Sequence, residues 1–136
     1  MSEHGTHAVS ALPVKAKQTL ILGAILMGLA VALGAFGAHG LKAHTDAYGL
    51  ATWETAVRYQ AWHSLALLFL ALGWNAVAPK MLRSATICMV LGILIISGSL
   101  YVLVLSGLKW LGAITPIGGI LLIAGWILTA VGAARR

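Results

Sequence analysis

Four stretches of this chain contain no Asp, Glu, Lys or Arg: Leu20 to Leu41, Tyr59 to Pro79, Ser84 to Leu108 and Trp110 to Ala134. Each is long enough to supply the roughly 20 residues that carry a helix across the hydrocarbon of a bilayer. Open strands are excluded there, because lipid offers no partner to unpaired backbone groups. The runs predict an all-α integral membrane protein with four spanning helices. Composition agrees, with 60% of the 136 residues hydrophobic and 9% charged, against about 25% charged in a soluble domain.

The second helix is expected to begin before its charge-free run. "TWETAVRYQAWH" holds good helix formers, Thr52 is a possible N-cap, and a start near Trp53 places Glu54 and Arg58 one turn apart on one face. Turns at Pro79–Lys80 and at Ser106–Lys109 are short. Short turns make neighbours antiparallel, which predicts an up-down-up-down four-helix bundle. Residues 1–18 are polar, with Pro13, Lys15 and Lys17, and read as a flexible cytoplasmic tail before one transmembrane domain, 19–136. The first apolar run exceeds the about 7–15 residues of a signal-peptide core, so it is read as a retained helix.

The net charge of +6 comes from nine Lys and Arg against three acids. Lys15, Lys17, Lys80, Arg83, Arg135 and Arg136 fall on one side of the predicted bundle, and Lys42, Arg58 and Lys109 on the other. Six against three favours both termini in the cytoplasm. Trp53 and Trp110 then fall at the outer interface and Trp74 at the inner one, as aromatic belts prefer. These charges suit anionic membrane lipids. No solvated basic face remains for a nucleic acid.

With that topology the polar residues gather in one layer of the outer half. The first helix supplies His39 and the second Glu54, Arg58, Tyr59, Gln60 and His63. The third supplies Ser97, Ser99 and Tyr101, and the fourth Thr115 and Pro116. Polar groups in lipid are costly unless paired, so they usually face the bundle interior and mark a site or a register-fixing network. Glu54 is the nearest partner for Arg58, and Tyr59 lies one turn from His63. Pro116 is expected to loosen the fourth helix and release the Gly112 carbonyl. Small residues recur as Ala30, Gly34 and Ala38 in the first helix, as Gly92, Ser99 and Ser106 in the third, and as Gly118, Gly125 and Gly132 in the fourth. They predict close helix packing, within one chain or between copies.

No cofactor or metal is expected. His39 at a helix end and His63 deeper in the next suit haem ligation poorly, and no dense ligand spacing occurs. Ser2, Glu3 and His4 would form an amino-terminal copper or nickel motif if Met1 were removed, but a solvated tail is the simpler reading. The single cysteine, Cys88, lies inside an apolar run and reads as a buried side chain.

The segments "GAFGAHGLK", "WETAVRYQAWHSLALL", "SGSLYVLVLSG" and "LGAITPIGGILLIAGW" run in this order from Gly34 to Trp126. Together they resemble the DUF423, or UPF0382, family of small membrane proteins. The resemblance implies a four-helix protein of the bacterial inner membrane and brings no catalytic residues. Three functions are then open. The first is a binding or assembly module holding a lipid, a quinone or a partner membrane protein at the outer polar layer. The second is a small-solute or proton transporter, possible as a homo-oligomer. The third is a membrane enzyme, which lacks a nucleophile, a metal motif or a phosphate loop.

Overall fold

The computed structural model describes residues 12–136. Four helices follow in chain order: α1 (Val14–His39), α2 (Ala47–Leu72), α3 (Pro79–Ser106) and α4 (Thr115–Ala134). Short 3-10 segments, Leu41–Ala43, Trp74–Ala76 and Lys109–Ala113, make the connections. α1 packs on α2, α2 on α3 and α3 on α4, with no comparable packing between α1 and α4. Contacts run in opposite chain directions across each pair. Trp53 and Gln60 of α2 meet Leu33 and Leu26 of α1, Ser97 of α3 meets Ala56 of α2, and Gly92 and Met89 of α3 meet Leu122 and Gly125 of α4. The expected up-down-up-down arrangement is present. Val14, Leu72, Pro79 and Ala134 lie at its terminal end, and His39, Ala47, Ser106 and Thr115 at its far end.

Among the described residues three helical stretches are long and apolar enough to cross a membrane: Val14–Ala43, Pro79–Ser106 and Lys109–Ala134. α2 is not among them, because Glu54, Arg58, Gln60 and His63 lower its hydropathy. It is instead the helix between α1 and α3, and it buries Gln60, His63 and Ser64 there. Large apolar side chains elsewhere face outward, Phe69 at 73% exposure and Ile120 at 68%. In water such a surface would aggregate; in lipid it is the solvated face.

The helix starts differ from expectation for local reasons. α1 begins at Val14, so residues 14–18, read as tail, are helical. Pro13 precedes them in an extended conformation, and Thr19 Oγ1 returns a bond to the Lys15 carbonyl at 3.0 Å. α2 begins at Ala47 rather than near Trp53. Asp46 caps it by accepting the Gly49 N–H at 2.7 Å, while the Thr52 hydroxyl, expected as the cap, donates within the helix to the Tyr48 carbonyl. α3 starts on Pro79, which lacks the N–H that a first turn leaves unpaired. It ends at Gly107, whose φ of 72° is the left-handed turn that glycine adopts without a Cβ clash. Pro116 lies in the first turn of α4. There its missing N–H interrupts no helical bond, and Gly112 belongs to the preceding 3-10 segment. The expected loosening of the fourth helix is therefore absent.

Small residues set the packing. A Cβ on Gly92 would lie 2.5 Å from Leu122 Cδ2, and one on Gly118 would lie 2.7 Å from the Ile96 backbone nitrogen. Gly125 and Gly132 meet Met89 and Met81 in the same way. The α4 stripe is thus a seam within one chain. In α1 the stripe is not Ala30, Gly34 and Ala38. Ala16, Gly23, Ala30 and Gly37, seven apart, are the buried set, while Ala38 is exposed.

Candidate functional site

The buried polar groups of α2 reach all three other helices. Trp53 Nε1 donates to the Leu33 carbonyl at 2.8 Å, and Gln60 Nε2 donates to the Leu26 carbonyl at 2.8 Å. Those carbonyls also serve the α1 helix, bonding the amides of Gly37 and Ala30 four residues on. Both of those residues are small and buried, which leaves the second lone pair of each carbonyl open to α2. Two donors seven apart on α2 thus meet two acceptors seven apart on α1. A slip of one residue would lose both bonds.

Toward α3, Gln60 Oε1 accepts the Tyr101 hydroxyl at 2.8 Å, and Ser97 Oγ donates to the Ala56 carbonyl at 2.7 Å. Ser99 and Thr115 join α3 to α4 through their hydroxyls at 2.7 Å. His63 reaches α4. Its Nδ1 lies 2.8 Å from the Tyr59 carbonyl, and Trp126 Nε1 lies 3.0 Å from its Nε2. A carbonyl only accepts and an indole N–H only donates. The ring is therefore neutral, with its hydrogen on Nδ1. Tyr59 stacks on it, with the ring planes 5° apart.

Among the described residues no buried side-chain nitrogen or oxygen lacks a hydrogen-bond partner. The inner network of Gln60, His63, Ser97 and Tyr101 is closed on itself. Its evident chemistry is to fix helix register, since every buried donor already has its acceptor.

The rest of the expected layer faces outward. Glu54 and Arg58 are exposed, and among the described residues no salt bridge joins them. Arg58 instead holds its guanidinium 6.0 Å from the centre of the Trp62 ring, within cation–π range. Both side chains line a groove of about 260 Å³ at the far end, whose α1 wall is Gly34, Gly37 and Ala38 and whose α2 wall includes Trp53 and Val57. His39 is exposed and does not line it; the α1 helix turns it away from α2. Pro116 only starts α4.

Sequence reasoning missed three participants. Trp53, expected at the interface, is 2% exposed and lies between Phe36 and Tyr101 with ring centres 5.5 and 4.6 Å away. The signal was Gly37: a Cβ there would lie 2.5 Å from Trp53 Cδ1, so the glycine makes the slot. Trp126 carries the indole that meets His63. Ser64, fully buried, returns its hydroxyl to the Gln60 carbonyl. Among the described residues no group of three or more His, Cys, Asp or Glu could hold a metal. Ser2, Glu3 and His4 lie outside the described residues.

The family described as "Protein of unknown function (DUF423)" matches residues 33–119. That span starts beside the Leu33 carbonyl and contains every member of the network except Leu26 and Trp126. The chain is 44% identical over 115 residues to UPF0382 membrane protein SAB0533 of Staphylococcus aureus, covering 85% of this chain and 93% of that one. It is 42% identical over 124 residues to UPF0382 membrane protein YwdK of Bacillus subtilis, covering 88% and 98%. It is 41% identical over 116 residues to UPF0382 inner membrane protein YgdD of Escherichia coli, covering 85% and 88%. No solved structure matches. With four antiparallel helices, a lipid-facing apolar surface and these relatives along most of its length, the chain is a membrane protein that belongs to the DUF423, or UPF0382, family.

Proposed function

We propose that this protein is an assembly module of the bacterial inner membrane, with both termini cytoplasmic, and that its far-end groove receives a transmembrane segment of a partner protein. The observation that carries this reading is the division of the polar layer. Gln60, His63, Ser97 and Tyr101 are spent inside the fold, whereas Glu54 and Arg58 stand together in an open groove. Size decides against a whole lipid or quinone there. Small-molecule pockets run to about 300–1,000 Å³, and this groove of about 260 Å³ takes only a few side chains. Its small-residue wall, Gly34, Gly37 and Ala38, suits the close approach of another helix. A carboxylate and a guanidinium beside it offer a partner polar group both signs of charge. The inner-membrane location agrees with the name of the Escherichia coli relative.

The test is site-specific photo-crosslinking in membranes from Ala38. A discrete adduct is expected from Ala38, absent from the lipid-facing control Ile123 and lost in Glu54→Ala/Arg58→Ala. An adduct of twice the chain mass would make the partner a second copy. Equal adducts from Ala38 and Ile123, or an Ala38 adduct indifferent to the double substitution, would refute the reading.

A further inference from the structure

A second groove, larger than the one at the polar layer, lies at the opposite, terminal end. There α1 and α3 both lean on α2 without packing on each other, and a groove of about 730 Å³ opens between their first turns. Its floor is apolar, with Leu22, Leu82 and Ile87 among its lining residues, while Lys15, Arg83 and the Trp74 ring stand in its walls. The groove hydroxyls are already used: Thr19 bonds the Lys15 carbonyl and Thr86 the Leu82 carbonyl. The Lys15 and Arg83 cations and the Gln18 amide, all exposed, are therefore its chief unspent polar groups.

From this arrangement we infer that the terminal-end groove is a binding site for an anionic phospholipid, with its phosphate between Lys15 and Arg83 and an acyl chain along the apolar floor. Three features select that occupant. The volume falls within the range of about 300–1,000 Å³ that holds a small-molecule ligand. The charge is one-sided: the two acids among the described residues both lie toward the far end, Asp46 as the cap of α2 and Glu54 in its first half. The order of chemistry along the groove is that of a lipid, cationic at the helix ends and apolar toward the bilayer centre. A tryptophan at the junction is the side chain that interfaces favour. The first turns of α1 and α3 also point positive dipole ends toward the same place.

The experiment is native mass spectrometry of the detergent-solubilised full chain titrated with phosphatidylglycerol or phosphatidylcholine of identical acyl chains. Wild type is expected to take one phosphatidylglycerol in preference to phosphatidylcholine. A basic side chain near an anionic lipid surface contributes about a factor of five in affinity. Lys15→Ala/Arg83→Ala should therefore weaken phosphatidylglycerol binding about 30-fold. Lys17→Ala/Lys80→Ala removes the same charge at the same end but outside the groove lining, and should leave it within about threefold, as screened surface charges do. Ile87→Trp fills the floor and keeps both cations, so it should abolish the one-to-one complex with helix content unchanged by circular dichroism. Equal binding of the two lipids by wild type would overturn the proposal. So would equal losses in the two double variants, which would reduce the effect to general surface charge, or full displacement by glycerol phosphate, which would make the site one for a free anion.

Discussion

Gln60 is the residue on which the most helices depend. It lies in α2, donates to α1 and accepts from α3, and it is 3% exposed. Replacing it by Leu keeps the volume near enough to pack, yet strands the Tyr101 hydroxyl in an apolar slot. An orphaned buried donor costs about 1–3 kcal/mol, although polar contacts inside membrane proteins average nearer to about 0.6 kcal/mol. Gln60→Leu is expected to lower the unfolding free energy measured by titration with sodium dodecyl sulfate by an amount in that span. Tyr101→Phe removes the other half of the same contact, so the two losses should be less than additive, and additive losses would show that the pair does not act as a unit. Which residues join this network was only partly legible in the sequence. The polar members stand out against an apolar chain, so Gln60, His63, Ser97 and Tyr101 were visible as a layer. Their split from Glu54, Arg58 and His39 was not, because one turn of helix separates inside from outside. Trp53 was misplaced because an aromatic near a helix end reads as an interfacial anchor until its partner glycine is known.

At the scale of the helix, α1 and α4 show when a packing stripe can be read and when it cannot. In α4 the glycines Gly118, Gly119, Gly125 and Gly132 leave one spacing, and that spacing is the seam. α1 carries small residues on nearly every face, Gly23, Gly28, Ala30, Gly34, Gly37 and Ala38 among them. Several stripes compete there, and α2 decides between them through Trp53 and Gln60. Glycines along α1 should then respond oppositely to the same change. A Cβ on Gly28 meets nothing within 4 Å, so Gly28→Ala should stabilise the protein by up to about 1 kcal/mol through helix propensity alone. At Gly37 the added methyl would lie 2.8 Å from Trp53 Nε1 and displace the indole from its acceptor. Gly37→Ala should cost about 1–3 kcal/mol, the usual penalty of overpacking. The same detergent-unfolding titration measures both, and a Gly37→Ala protein as stable as Gly28→Ala would mean that α1 is free to turn its other stripe to α2.

For the whole molecule, hydrogen bonds and charge divide the two ends between different tasks. The inter-helix bonds of the buried polar side chains lie from the middle to the far end, where they hold α2 against α1, α3 and α4. The terminal end is closed on backbone carbonyls instead: the Ala78 N–H reaches that of Gly132 at 3.0 Å, and the exposed Arg136 side chain reaches that of Asn75 through Nε at 2.9 Å. That end also carries Lys15, Lys17, Lys80, Arg83, Arg135 and Arg136, against Lys42, Arg58 and Lys109 at or near the other. Basic residues resist translocation, so this asymmetry predicts that the terminal end stays in the cytoplasm. The prediction is checked with single cysteines at exposed sites that leave every charge in place. In a Cys88→Ser background, Trp110→Cys should react in intact cells with a membrane-impermeant maleimide, and Ala134→Cys only after the membrane is opened. The reverse pattern would place Glu54 and Arg58 on the cytoplasmic side, where any partner segment would have to meet them. Labelling of both sites in intact cells would mean that six against three is too weak a bias to set one orientation, leaving the chain to insert both ways as an antiparallel pair.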